Sequence, residues 1–154
     1  MLGNELREYG LIVDVLRPHQ VHEVSDYDAV IVGGALYMFR WHHAARRFVR
    51  RHAHALRQRP VYLFSSGPLD DSAATAEIPP VRGVSKLMTQ VGAAGHMTFG
   101  GRLSPEARGF PASAMARKQA GDWRDHDQIA RWAQLIARQL QGEPVSQDSA
   151  QRQS

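Results

Sequence analysis

The stretch YDAVIVGGALYMFRW, Tyr27 to Trp41, runs a short apolar segment straight into Gly33 and Gly34, and then into the rings of Tyr37 and Trp41. A strand that only fills a core ends in a polar turn. One that ends in two glycines and flat rings offers open backbone and π-surface to a flat ligand. The same residues also suit a plain tight turn, with Trp41 a core residue at the head of a helix. A second group, Ser65-Ser66-Gly67-Pro68, follows the apolar run Val61 to Phe64 and offers hydroxyls and backbone. No G-x-S-x-G pattern surrounds these serines, so they do not read as a nucleophile elbow. Asp70 and Asp71 read as a solvated turn rather than a metal pair. None of the 8 histidines stands four residues from another, so no helical metal site is expected. No side chain is assigned a catalytic role.

These groups need elements to position them. Gly3 to Tyr9 reads as the last turns of a helix stopped by Gly10. Leu11 to Leu16 reads as a strand, and so does Ala29 to Val32, which is apolar on both faces as in a covered parallel sheet. Trp41, Ala45, Phe48, His52 and Leu56 form one stripe of a helix from Trp41 to Leu56. Val61 to Phe64 is the next strand, Val84 to Val91 a helix ended by Gly92 or Gly95, and His96 to Phe99 a further strand. Ser104 to Gly121 reads as irregular or weakly helical. Asp125 and Gln128 form a capping pair before a helix with Ile129, Trp132, Ala133, Ile136 and Leu140 on one face. Strands alternating with helices predict βαβ units and a parallel sheet. Ligands of open α/β sheets sit at the carboxyl ends of the strands, which is where Gly33 to Trp41 and Ser65 to Asp71 both fall. The expectation is one domain over 1–141 and a polar, disordered tail over 142–154.

Hydrophobic content of 43% and charged content of 22% are ordinary for a soluble globular chain. Without cysteine there is no disulfide, thiolate site or thiol nucleophile, which fits a reducing cytoplasm. No apolar run approaches the ~18–20 residues needed to span a bilayer, and no signal peptide is visible. The net charge of +4 comes almost wholly from arginine. Arg46, Arg47, Arg50, Arg51 and Arg57 make one helix basic. With no exposed aromatics between them, a solvated face is the expectation rather than a nucleic-acid interface.

At Tyr27–Trp41, HHAARRFVRRHAHAL (42–56), PVYLFSSGPL (60–69), FGGRL (99–103) and GDWRDHDQIARWAQLIA (121–137), the chain resembles the flavodoxin-like family. Within it, the resemblance is to the branch of menaquinone-dependent protoporphyrinogen dehydrogenases. The resemblance implies a three-layer α/β fold with a parallel sheet in order 2-1-3-4-5 and FMN at the switch point. It implies that Gly33, Gly34, Ala35 and Leu36 present backbone to the flavin, with Tyr37 or Trp41 the stacking ring, Tyr37 the better candidate because it follows the glycines, and Met38 among the binding residues. It also implies that Ser65, Ser66, Gly67 and Pro68 close the other wall. The function implied is an FMN-dependent oxidoreductase, cytoplasmic or peripheral at the inner face of the membrane, with a quinone and a porphyrinogen as partners.

The family pattern opens with a strand and a Ser/Thr/Gly loop that holds the FMN phosphate at a helix N-terminus. Neither precedes Gly3 to Tyr9 here, so Leu11 to Leu16 aligns with the second strand, and the sheet is expected to lack the first, central one. A reading frame that begins upstream, or a shortened chain that is a flavin-free binding or structural module, both fit. The exposed strand edge makes a homodimer an expectation. Arg102 to Asp122 is shorter and poorer in aromatics than the insertion of the quinone-linked branch, so flavin is implied more directly than porphyrinogen oxidation.

Overall fold

The computed structural model describes residues 1–67, 78–100, 102–103, 121–122 and 124–142. They fall into two compact units, one of Leu16–Asp125 and one of Met1–Val15 with the chain from His126 onward.

The larger unit is built on a four-stranded sheet. Strand β1 is Val30–Tyr37, β2 Arg40–Trp41, β3 Val61–Ser66 and β4 Gly95–Phe99. Their order is β2-β1-β3-β4. β1, β3 and β4 are parallel, in register from Val30↔Val61 to Ala35↔Ser66 and from Tyr62↔Gly95 to Ser66↔Phe99. β2 is antiparallel to the end of β1, with Leu36 opposite Trp41 and Tyr37 opposite Arg40. The connections are α2 (His43–Arg51) with α3 (Ala53–Leu56), and α4 (Arg82–Val91). Two short strands, β5 (Arg102–Leu103) and β6 (Gly121–Asp122), pair antiparallel in a sheet of their own.

The core lies between one face of the large sheet and these helices. Val32, Val61 and Leu63 meet Ala45, Phe48, Val49, Leu56, Val84, Leu87 and Val91 there. This is the alternation that a period of two on strands and of 3.6 on helices requires. The stripe of Trp41, Ala45, Phe48 and Leu56 is buried as expected, but the helix does not run unbroken to Leu56. It pauses at His52, with φ −102° and ψ 14°, between α2 and α3. α4 stops at Gly92, which takes the left-handed conformation at φ 62° that a side chain resists.

Arg59 joins the layers. Its Nη1 donates to the carbonyls of Val24 (2.9 Å) and Tyr27 (2.7 Å), and its Nε to that of Ala55 (2.9 Å). One guanidinium thus ties the segment entering β1 to the end of α3.

In the smaller unit, α1 (Leu2–Glu8) packs on the final helix, α5 (His126–Leu140). Gly10, at φ 84°, ends the first turn region as read, and Ile129, Trp132, Ala133 and Ile136 are buried along α5. Leu11–Leu16 is not the strand its β-branched residues suggested. A strand exists only by pairing, and no described strand runs beside this segment. Its Ile12 and Val15 are exposed, with relative accessibilities of 101% and 70%. No described helix is long and apolar enough to cross a membrane. Most of 104–121 and the tail from 143 onward lie outside the described residues.

Replacing Arg59 with alanine is expected to destabilise the protein by roughly 2–3 kcal/mol, since three carbonyls lose a charged donor. A urea unfolding midpoint indistinguishable from wild type would contradict this.

Candidate functional site

The carboxyl end of β1 does not open into a loop at the glycines. Gly33 and Gly34 sit inside the strand, paired with Phe64 and Ser65 of β3, and the hinge expected at Gly33–Trp41 is a hairpin instead. The glycines are required by packing. A Cβ on Gly33 would run into the Phe64 ring, and one on Gly34 into the Trp41 indole. Successive strand residues face opposite sides of the sheet, so the pair admits one ring on each face at the same level.

Trp41 follows from this. It is 2% exposed, seated over Gly34, and its Nε1 donates to the carbonyl of Phe64 at 3.2 Å. It is a core residue, and its buried ring is not available to stack on a ligand. Tyr37 is exposed, and beyond it Met38 and Phe39 form the hairpin turn, with accessibilities of 75% and 87%. Both take positive φ, 47° and 63°. That is the pattern of a two-residue type I′ turn, which normally selects Asn and Gly. The sequence reading did not single out Phe39, because a hairpin four residues after a glycine pair leaves no Asn-Gly signal.

The second expected wall adjoins the first. Gly67 ends β3 at φ 132°, its N–H donating to Phe99 O at 2.9 Å. A Cβ on Gly67 would meet the Leu36 Cβ at 3.3 Å, so both the space and the backbone angle call for glycine. Ser65 is not a free hydroxyl at the wall's surface. It is 1% exposed and its Oγ lies 3.1 Å from His96 Nε2. Ser66 is half-buried, and Pro68, Asp70 and Asp71 lie outside the described residues. Burial pushes the His96 imidazole below its ordinary value of 6.5, which favours the neutral ring. Residue type alone could not reveal this pair, since the two residues are 31 apart in sequence and meet only through strand register.

Along β1 at Gly33, Gly34 and Ala35 lies a cavity of about 450 Å³, rimmed also by Arg17, His19 and His42. His42 Nδ1 accepts the Ala44 N–H at 3.2 Å, capping α2. With Nδ1 an acceptor, the ring proton sits on Nε2, which is left to donate. Arg17 and His19 come from a 3-10 turn region, and their link to the cavity had no sequence signal. The structure thus brings Gly33, Gly34, Ala35, Leu36, Ser65, Ser66 and Gly67 to one end of the sheet.

The flavodoxin domain model matches residues 1–117. The chain belongs to the flavodoxin domain family. It is similar to the protoporphyrinogen IX dehydrogenase [quinone] of Escherichia coli strain K12, with 33% identity over 66 residues, covering 42% of this chain and 36% of that protein. The same protein of Escherichia coli O157:H7 matches equally. The aligned part therefore spans about a third of these relatives, well short of their whole length. Among solved structures, the rubredoxin oxygen:oxidoreductase of Desulfovibrio gigas is similar in fold, with a TM-score of 0.59 at 15% identity over 92% of this chain and 31% of that one. The flavodoxin-like α/β class is thereby established, and β1, β3 and β4 are parallel neighbours in sequence order, as the last three strands of the expected 2-1-3-4-5 order require.

Two expectations follow from this geometry. Replacing Met38-Phe39 by Asn-Gly is expected to stabilise the protein by about 1–2 kcal/mol, because Asn and Gly occupy the left-handed region at lower cost than Met and Phe; an unchanged or lower urea midpoint would show the turn is unstrained. The second concerns His96, whose folded-state affinity for protons is lower than the unfolded chain's. Stability from this ring is complete above its ordinary value of 6.5 and falls as pH drops through that value toward the lowered one. His52, also lowered, chiefly by burial, acts in the same direction. Urea midpoints from pH 8 to 5 should therefore decline less for His96→Gln than for wild type, and parallel declines would remove His96 as a contributor.

Proposed function

We propose that this flavodoxin-family chain binds FMN at the carboxyl end of its sheet and serves as a redox protein that exchanges electrons with a quinone. Oxidation of a porphyrinogen is the reaction class its named relatives suggest. The observation that carries this reading is the exposed Tyr37 at the end of β1, one residue beyond Leu36, which adjoins Gly67, and two beyond Ala35, which lines a cavity with Gly33 and Gly34.

The donor chemistry supports a flavin phosphate. Arg17 supplies a guanidinium fork and His42 an Nε2–H at the start of α2, both on the rim of that cavity. Tyr37 covers a flat ring, with Met38 beside it, while the backbone at Ala35, Leu36, Ser66 and Gly67 borders the same end of the sheet. A bound flavin supplies the electron transfer, and the protein's groups bind it, orient it and limit water around it. The exposed Met38 favours contact with a membrane surface, where a quinone acceptor resides.

A second reading is favoured by one specific observation. The glycine pair is filled by Phe64 and Trp41 rather than left open, which is what a flavin-free α/β binding module would show.

Titration of FMN with the purified protein, followed by quenching of flavin fluorescence, tests both. Saturable quenching is expected, about 5- to 10-fold weaker for Tyr37→Ala, in keeping with the loss of one stacked ring. Riboflavin, lacking the phosphate, should bind more weakly, and Arg17→Gln should narrow that difference. Reduction of the bound flavin and its reoxidation by a soluble quinone would then support the redox role. A colourless protein that leaves FMN fluorescence untouched would favour the flavin-free reading.

A further inference from the structure

A second, larger recess of about 790 Å³ lies between the β1–β2 hairpin and the start of α4, within the same compact unit. Its lining includes Arg40, Arg46, Arg82 and Lys86, together with Phe39 of the hairpin turn, and no described carboxylate. The four cations come from three separate elements, β2, α2 and α4, so their convergence is tertiary rather than one solvated helix face. Across the whole chain, lysines and arginines outnumber acids 19 to 15.

Three further features point the same way. The Nε of Arg46 is closed off from solvent with no acceptor among the described residues. α4 begins after Val81 with no side-chain cap among the described residues and no acid in its first turn, and its dipole favours an anion there. Phe39, 87% exposed, adds a flat apolar ring at the rim.

We propose that this recess is a nucleotide-binding site, distinct from the flavin cavity, that takes a nucleoside diphosphate. Arginine forks and backbone N–H groups suit phosphate oxygens, and two phosphates answer four cations better than one does. The volume falls within the range of small-molecule sites, and the exposed ring of Phe39 is a platform on which a base stacks. The site goes beyond the redox reading and does not need it to be correct.

The test is calorimetric titration of the purified protein at low salt with ADP, inorganic pyrophosphate and adenosine, each with and without saturating FMN. ADP and pyrophosphate are expected to bind saturably at one site, ADP more tightly, and adenosine weakly. The double change Arg82→Gln, Lys86→Gln should weaken ADP and pyrophosphate at least about tenfold. Both residues are exposed, so the fold should tolerate it, which circular dichroism checks. Phe39→Ser should weaken ADP but leave pyrophosphate unchanged, and Arg57→Gln, an exposed cation that does not line the recess, should change neither. Absence of saturable binding by ADP and pyrophosphate would overturn the proposal, as would equal weakening by Arg57→Gln or adenosine binding as tightly as ADP. Displacement of ADP by FMN would overturn the claim of a distinct site. Failure of FMN to bind, with ADP binding intact, would count against the redox reading alone.

Discussion

The indole of Trp41 lies where a side chain on Gly34 would have to be, and its Nε1 is held by the Phe64 carbonyl on the neighbouring strand at 3.2 Å. That contact sets how the chain leaves β1. With the indole anchored against the sheet, the chain must turn back within two residues, so β2 pairs with β1 and the His42 N–H reaches Ala35 O at 2.8 Å. The start of α2 is thereby placed, and with it Ala45, Phe48 and Val49 in the core and Arg46 on the other recess. Gly33 makes the complementary allowance on the opposite face for Phe64. Either glycine with a side chain would force a ring out and cost about 1–3 kcal/mol as overpacking.

The tight return has a cost that the anchor offsets. Met38 and Phe39 are held in a region that L-residues avoid by about 1–2 kcal/mol each. A turn selected only for stability would carry Asn-Gly. Retaining two large apolar residues in solvent is a second departure from what stability favours, since neither ring nor thioether finds cover within its own unit. Strain and exposed apolar surface at the same two residues are what a recognition element shows, where the energy withheld from the free protein is recovered on contact with a ligand or surface.

Much of the fold was legible. The apolar runs at Val61 and His96, the stripe through Phe48 and Leu56, Gly92 as a helix stop and the face of α5 each follow from local periodicity or a local backbone angle. The family resemblance at Tyr27–Trp41 and PVYLFSSGPL rested on the same residues that place β1 and β3. What was not legible is what depends on partners distant in sequence. Leu11–Leu16 has a strand's composition, but a strand also needs an edge to pair with. Gly33-Gly34 looked like a hinge because glycine's freedom is visible in sequence, while the ring that fills its missing side chain is not. Ser65 looked like an exposed hydroxyl until register brought His96 beside it. Arg59, Arg17 and His42 stood among many similar residues, and only the fold distinguishes them.

The hairpin also divides the end of the sheet electrostatically. On the side of Gly33–Ala35 the cavity carries Arg17 and two imidazoles; on the side of Phe39–Trp41 the recess carries four permanent cations. Charges of one sign repel one another, and an anion bound among them relieves that repulsion. The described linings of the two share no residue, although Trp41 and Arg46 of one adjoin His42 and Ala45 of the other in sequence. The same two-stranded ribbon that Trp41 pins to the sheet lends Phe39, Arg40 and Trp41 to one recess and Gly33, Gly34 and Ala35 to the other.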